Sequence, residues 1–420
     1  MNLPVLTAMS RPQQEVALVA ALGSGQFDVE VVRRCVDSAD LLAAAAAGLG
    51  RVALVSADLR GLDGEAIARL AGSGVAVVGM VDAGDEPAER RLRQLGVNVV
   101  VAADASGERV AAAARTAVLG VTDAVPAQPV GDRPPPTVDE DIAPGRIVAV
   151  WGPTGAPGRS TVAAGIAAEA AAHQRTLLVD ADVYGAVQAQ LLGILDESPG
   201  LAAACRLANN GALDVAGLAE LATELRPGLL VLTGIARSDR WPELRPAAMT
   251  AVLELARRLC PLVVVDCGFC LEQDEELSYD TLAPRRNGAT LAVLESADVV
   301  VAVAAADPIG VQRFVRGLDM LREVAADVEI RTVVNRVRRG PTGPGDPHRE
   351  LSAAFATYAG ISDLHFVPED RAGVDAALAA GRTLAEAAPA SPARLALRQL
   401  AGQLVGRPVP ASRRRLLRRH

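Results

Sequence analysis

The sequence predicts an α/β protein built from two parallel sheets in succession, each flanked by helices. Three observations carry this. Short runs of Val, Leu and Ile alternate with longer amphipathic or alanine-rich segments along most of the 420 residues. A proline-rich stretch interrupts the alternation at 119–144. The second half then opens on a glycine-rich turn placed directly after an apolar run, IVAVWGPTGAPGRST at 147–161.

The first half reads as five strand–helix units. Its strands are predicted at Pro4–Ala8, Val29–Arg33, Arg51–Ser56, Val75–Val81 and Val97–Ala102. Its helices are predicted at Arg11–Leu22, Ala39–Gly48, Gly64–Ala71, Glu86–Leu95 and Glu108–Val118. Five strand–helix units of this length imply that residues 1–118 form a compact doubly wound parallel sheet, flavodoxin-like. Residues 119–144 hold Pro126, Pro129, Pro134, Pro135, Pro136 and Pro144, which predicts a semi-extended linker. The second domain should run over 145–406, followed by the basic tail 407–420.

In that second domain Ile147–Trp151 is a buried-strand run, and the glycine-rich turn leads into a helix over Arg159–His173. Strand, loop and helix in this order are the context a phosphate-binding loop requires. Loop amides and the helix N-terminus attract phosphate without any side chain. The standard pattern is G-x-x-x-x-G-K-[ST]. Here Gly158, Ser160 and Thr161 stand in register, but Arg159 replaces the lysine, and the chain contains no lysine anywhere. Gly155, Ala156, Pro157, Gly158, Arg159, Ser160 and Thr161 are the candidate phosphate-binding residues, with Ser160 also a candidate Mg²⁺ ligand. A plain strand–helix turn, kept tight by glycine, is the alternative.

Further strands are predicted at Thr176–Asp182, Leu262–Asp266, Ala297–Ala305 and Arg331–Val337, with HFVPED at His365–Asp370. Two of them end in carboxylates. LVVVD at Leu262–Asp266 suits a strand whose terminal Asp266 orients Mg²⁺. TLLVDAD ends in Asp180 and Asp182. Ligands in such sheets bind at the carboxyl ends of strands, so these aspartates are site candidates more than strand-end polar residues.

Over residues 145–405 the chain resembles the MinD/ParA family of deviant P-loop ATPases, whose loop reads K-G-G-x-G-K-[ST]-T. Aligned without gaps, Thr154 stands for the signature lysine, Gly155 and Ala156 for the two glycines, and Arg159 for the second lysine. Pro153 then falls on the first glycine of the general motif; alternatively Gly152 serves, with one residue inserted. The resemblance implies ATP and Mg²⁺ as ligands and a nucleotide-linked homodimer. It implies that Asp182 positions the attacking water, with Arg159 as the catalytic cation. It also implies Asp180 in the nucleotide site, Ser160 and Asp266 on the metal, and Asn335 with Pro368 and Glu369 around adenine. Arginine keeps the charge of lysine but not its reach, so hydrolysis should be weak or absent. Arg285 and Arg286 could restore the charge missing at Thr154, or could pair with neighbouring acids in a solvated loop.

Within that family the likeness is to the CpaE/TadZ branch, through LVDADVYGAVQAQLLG, SPGLAAACRLANNGALD, VLESADVVVAV and VPEDRAGVDAALAAGRTLAEAAP. That branch joins a receiver-like domain to a MinD-like one. Residues 1–118 are accordingly similar to a response-regulator receiver, without its chemistry. Ser56 falls where a receiver carries its aspartate, Asp58 is out of register, and no acidic pair follows the first strand. The implied function is regulatory: nucleotide-dependent positioning of pilus, secretion or division machinery, with protein partners of that machinery. A nucleotide-free pseudo-ATPase scaffold and a DNA-partitioning ATPase are the alternatives.

Bulk properties bound these readings. Aromatics make up 2% of the residues, too few for base-stacking platforms. A net charge of −8 argues against nucleic acid as a partner of the body. Five scattered cysteines fit a reducing cytoplasm, and no run reaches the ~20 apolar residues a bilayer span needs. The arginines of the tail, ASRRRLLRRH, could touch an anionic membrane at its inner face or stay solvated. Cys267 and Cys270 form a CxxC after the strand ending in Asp266. They could bridge a metal or cluster across a dimer, as in some relatives, act as a redox pair, or be two small semi-buried thiols.

Overall fold

A computed structural model describes residues 2–23, 27–122, 144–155, 158–195, 199–273, 284–341 and 343–406. Most of the linker and all of the basic tail lie outside these residues. The chain forms two compact units, each around its own sheet.

The first unit runs β1 (Leu3–Ala8), α1 (Pro12–Leu22), β2 (Val29–Arg34), α2 (Ser38–Ala46), β3 (Val52–Ser56), α3 (Gly64–Gly72), β4 (Ala76–Val81), α4 (Glu86–Gln94), β5 (Val99–Ala102) and α5 (Gly107–Thr122). All five strands are parallel, in the order β2-β1-β3-β4-β5, which is the flavodoxin-like order. Residues Val52–Ser56 are buried on both faces, so this central strand reads as a continuous apolar run. Three helices start on an aspartate that accepts a first-turn N–H: Asp37 from Asp40, Asp63 from Ala66 and Asp85 from Ala88. At the carboxyl edge Ser56 Oγ accepts the Ser10 N–H at 3.1 Å, and Ser10 Oγ donates to Asp58 at 2.5 Å. Arg11 pairs with Asp82 at 2.7 Å. Gln14 and Arg11 hold the Asp82 carboxyl below its ordinary range.

The second unit continues with β6 (Arg146–Trp151), α6 (Arg159–Ala170), β7 (Thr176–Ala181), α7 (Gln188–Leu191), α8 (Gly200–Asn209), α9 (Val215–Leu221), β8 (Thr223–Arg226), β9 (Leu229–Leu232), α10 (Pro246–Leu259) and β10 (Leu262–Cys267). Then follow α11 (Gly288–Ser296), β11 (Val299–Ala305), α12 (Pro308–Val324), β12 (Glu329–Val337), α13 (Pro347–Ala359), β13 (Leu364–Pro368), α14 (Arg371–Ala380), α15 (Leu384–Ala387) and α16 (Pro392–Leu404). The sheet order is β13-β12-β11-β6-β10-β7-β9-β8. Only the edge strand β8 is antiparallel among the described residues.

The β6, β10 and β7 strands lie side by side at the centre of this sheet, and every residue of β7 and β10 is buried. Their apolar runs are covered on one face by α6, whose Val162 and Ile166 are within 1% of complete burial. Each such side chain stabilises the fold by about 1.5–3 kcal/mol. Gly165 lets α16 close on α6: a Cβ there would come within 2.5 Å of Leu397 Cδ1.

The structure differs from the sequence reading mainly at ends. The helix expected over Arg159–His173 stops at Ala170; the segment HFVPED gives a strand as far as Pro368, after which Asp370 caps α14 by accepting the Gly373 N–H. The β8–β9 hairpin has no counterpart in the sequence reading. Each strand spans four residues, below the length at which a periodic signal stands out.

Candidate nucleotide site

The parallel register brings the site together at one edge. Pairing of β10 with β7 sets Asp266 opposite Asp180, and β6 delivers the loop beside them. The loop is shaped by Gly155 (φ 68°) and Gly158 (φ 83°), both in the left-handed region that side chains resist. Gly158 is the N-cap residue of α6, and no side chain caps that helix. Nor does its first turn carry an acidic residue. By contrast α12 and α14 are capped by Asp307 and Asp370. Among the described residues, no side chain competes for the first α6 amides, which suits them to an external acceptor. Ala156 and Pro157, expected in the loop, lie outside the described residues.

Arg159 does not extend along the loop. Its Nη1 donates to the Gly152 carbonyl at 3.0 Å and its Nη2 to Asp182 Oδ2 at 3.0 Å. The guanidinium lies 5.9 Å from the Phe269 ring centroid, and its Nε is buried without a hydrogen-bond partner. Asp182 is held from the other side by the Tyr184 N–H at 2.9 Å.

Asp180 and Asp266 are 1% and 0% exposed. Asp180 accepts the Gln188 N–H at 2.9 Å and the Asp182 N–H at 3.3 Å, so both its oxygens serve the backbone. Burial, and then the charge of Asp266, push its carboxyl well above the ordinary range. Burial also pushes Asp266 up, to about 6, against the opposing hydrogen bonds of Ser160 and Gln188.

Gln188, absent from the sequence-derived candidates, ties the cluster together. Its Nε2 donates to Asp266 Oδ2 at 2.8 Å and to the Ser160 carbonyl at 3.0 Å. Asp266 Oδ1 and Gln188 Oε1 remain buried without hydrogen-bond partners. Two orphaned acceptor oxygens beside a serine at the start of a helix fit a hard, oxygen-seeking cation such as Mg²⁺. Ser160 and Asp266 would hold it, and its charge would neutralise phosphate oxygens.

A second feature adjoins the loop. A cavity of about 420 Å³ is lined by Gly158, Thr161, Asn335, Arg338, Pro368 and Glu369, among others. Asn335, Pro368 and Glu369, far apart from the loop in sequence, thus meet it in one cavity. Asn335 is aimed there by a bulge. The β12–β13 register shifts between Val334 and Val337, Arg336 adopts φ 57°, and Asn335 Oδ1 accepts the Arg336 N–H at 2.9 Å. Its Nδ2 then packs on Gly158, where a Cβ would come within 2.7 Å of it. Glu369 pairs with Arg338 at 2.6 Å.

The remaining candidates fall elsewhere. Arg286 stacks 4.2 Å above the Tyr184 ring rather than reaching the loop. Cys267 is wholly buried, and burial holds its thiol far above the ordinary range. Cys270 is half-buried and accepts from Asn287 Nδ2 at 3.3 Å. Among the described residues no cluster of three or more His, Cys, Asp or Glu could hold a metal ion. No described helix is long and apolar enough to cross a membrane.

No protein-family model matches the chain, and no curated protein matches it by sequence. Solved structures do. A ParA family ATPase from Chlorobium tepidum superposes with a TM-score of 0.52 at 18% identity, over 61% of this chain and 98% of that one. The cell division ATPase MinD of Pyrococcus furiosus aligns with a TM-score of 0.49 at 17% identity, over 62% and 99%. The septum site-determining protein MinD of Pyrococcus horikoshii, complexed with Mg-ADP, gives 0.49 at 16%, over 62% and 96%. The chain is α/β, and its second half carries a P-loop NTPase fold of the MinD/ParA type, with helices on both faces of a parallel sheet.

Proposed function

We propose that the protein is a nucleotide-dependent localisation factor that binds ATP with Mg²⁺ and hydrolyses it slowly at best. The observation that carries this is the continuity of the uncapped α6 N-terminus with the cavity holding Asn335, Pro368 and Glu369. One end is suited to phosphates and the other to a base. Ser160 and the loop amides take the phosphates, Ser160 and Asp266 the cation, and Asn335 the base. Slow turnover follows from Arg159, whose ion pair occupies the carboxylate of Asp182 that would orient water.

The fold is shared with a ParA family ATPase, which supports a positioning role through a nucleotide-linked homodimer. Pilus, secretion or division machinery would supply the protein partners. The first unit would serve as a receiver-like docking module, and the arginine tail as a contact for an anionic membrane surface.

Calorimetric titration of ATP tests the reading, with and without Mg²⁺, on the wild type and on Asp266→Asn. Saturable binding that Mg²⁺ strengthens in the wild type but not in the variant is expected. No heat at millimolar ATP from folded protein would leave a nucleotide-free scaffold instead.

A further inference from the structure

The loop lacks a cation at two positions. Thr154 is neutral, and the guanidinium of Arg159 is turned down onto Asp182 and the Gly152 carbonyl. A nucleoside triphosphate carries about four negative charges, and loop amides alone leave much of that charge uncompensated.

A cation, Arg313, lies beside the loop. It sits on the second turn of α12, a helix separated from the loop by more than a hundred residues of sequence. Its Nη1 lies 3.5 Å from the Thr154 carbonyl, a long contact. It also fills the space beside Gly155 so closely that a Cβ there would stand 2.1 Å from it. Gly155 is required by its φ of 68°, and Arg313 occupies the space a side chain there would take. The start of α12, one turn before Arg313, is fixed in place. Asp307 caps it by accepting the Gly310 N–H at 2.9 Å, and a Cβ on Gly310 would meet Ala305 Cβ at 2.2 Å.

We infer that Arg313 is a phosphate-binding residue of this site. It contacts the terminal phosphates of the nucleotide in its own chain and brings a positive charge beside the neutral Thr154. Its planar fork can bridge two phosphate oxygens, which a single ammonium does less well. The inference rests on the nucleotide reading above and adds to it the source of the missing charge.

The test is titration of ATP and AMP, with Mg²⁺, into the full-length wild type, Arg313→Ala and Arg316→Ala. Arg316 is exposed on the same helix and controls for charge at a distance. Loss of one charge-assisted contact is worth about tenfold or more in affinity. Arg313→Ala should weaken ATP by at least that factor and leave AMP unchanged, while Arg316→Ala changes neither. Equal ATP affinity in the wild type and Arg313→Ala overturns the inference and leaves the nucleotide reading standing. Equal losses in both variants also overturn it, since general electrostatics would then explain them. Absence of ATP binding in the folded wild type overturns both.

Discussion

Arg159 and Asp182 form an ion pair of 3.0 Å in which the side chains are only 13% and 6% exposed. A residue expected on the phosphates is bound instead to the residue expected on water. Removing one partner of so enclosed a pair strands the other charge. Arg159→Ala and Asp182→Ala should each destabilise the protein by about 2–4 kcal/mol, and the double variant by clearly less than the sum. A double-mutant cycle by urea unfolding measures this. Strict additivity would mean the pair is not formed in solution.

Gly158→Ala tests the junction between loop and cavity. The left-handed backbone costs a side chain about 1–2 kcal/mol, and the new methyl must displace Asn335. Both thermal stability and nucleotide affinity should fall. Asn335→Ala, combined with Gly158→Ala, should relieve the clash but not the backbone cost.

Asp266 sets a pH limit on the cation. Its carboxyl is raised to about 6, so it is charged at pH 7.5 and largely protonated at pH 5.5. The Mg²⁺-dependent part of ATP binding should therefore decline as pH falls through about 6. Titrations at pH 5.5, 6.5 and 7.5 would show it. In the apo protein the same shift acts on stability in the other direction: the folded state holds the proton more tightly, so this group's contribution is lost as pH rises from about 4 to 6.

His365 acts oppositely. It is half-buried, which lowers its pKa, and its Nε2 lies 2.9 Å from the Ala396 carbonyl. The unfolded chain takes up a proton first as pH falls below about 6.5, so stability drops on acidification. The melting temperature should fall less between pH 7.5 and 5.5 in His365→Gln than in the wild type.

Much of this was legible in the sequence because central parallel strands are buried on both faces. Ile147–Trp151 and Leu262–Asp266 announce themselves as unbroken apolar runs, and the glycines of the loop mark where the backbone must turn left-handed. Asp180, Asp182 and Asp266 were readable because strand ends are where such sheets gather polar groups. Gln188 was not, since a lone glutamine in AVQAQLLG carries no local pattern; only folding turns its amide onto Asp266. Arg313 is hidden for the same reason, whereas Arg285 and Arg286 lie nearer in sequence to Asp266. Arg286 is drawn instead to the face of Tyr184. The bulge at Arg336 was also invisible, because arginine at φ 57° departs from its own preferences.

The bare start of α6 has a consequence for how the molecule breathes. A helix whose first amides have no side-chain cap among the described residues should exchange their hydrogens with solvent early, although the rest of α6 is enclosed. Whatever anion settles there would complete the helix as well as be held by it. Occupancy would then be written into the order of a single turn, Gly158–Thr161, and from that turn directly into the amide of Asn335.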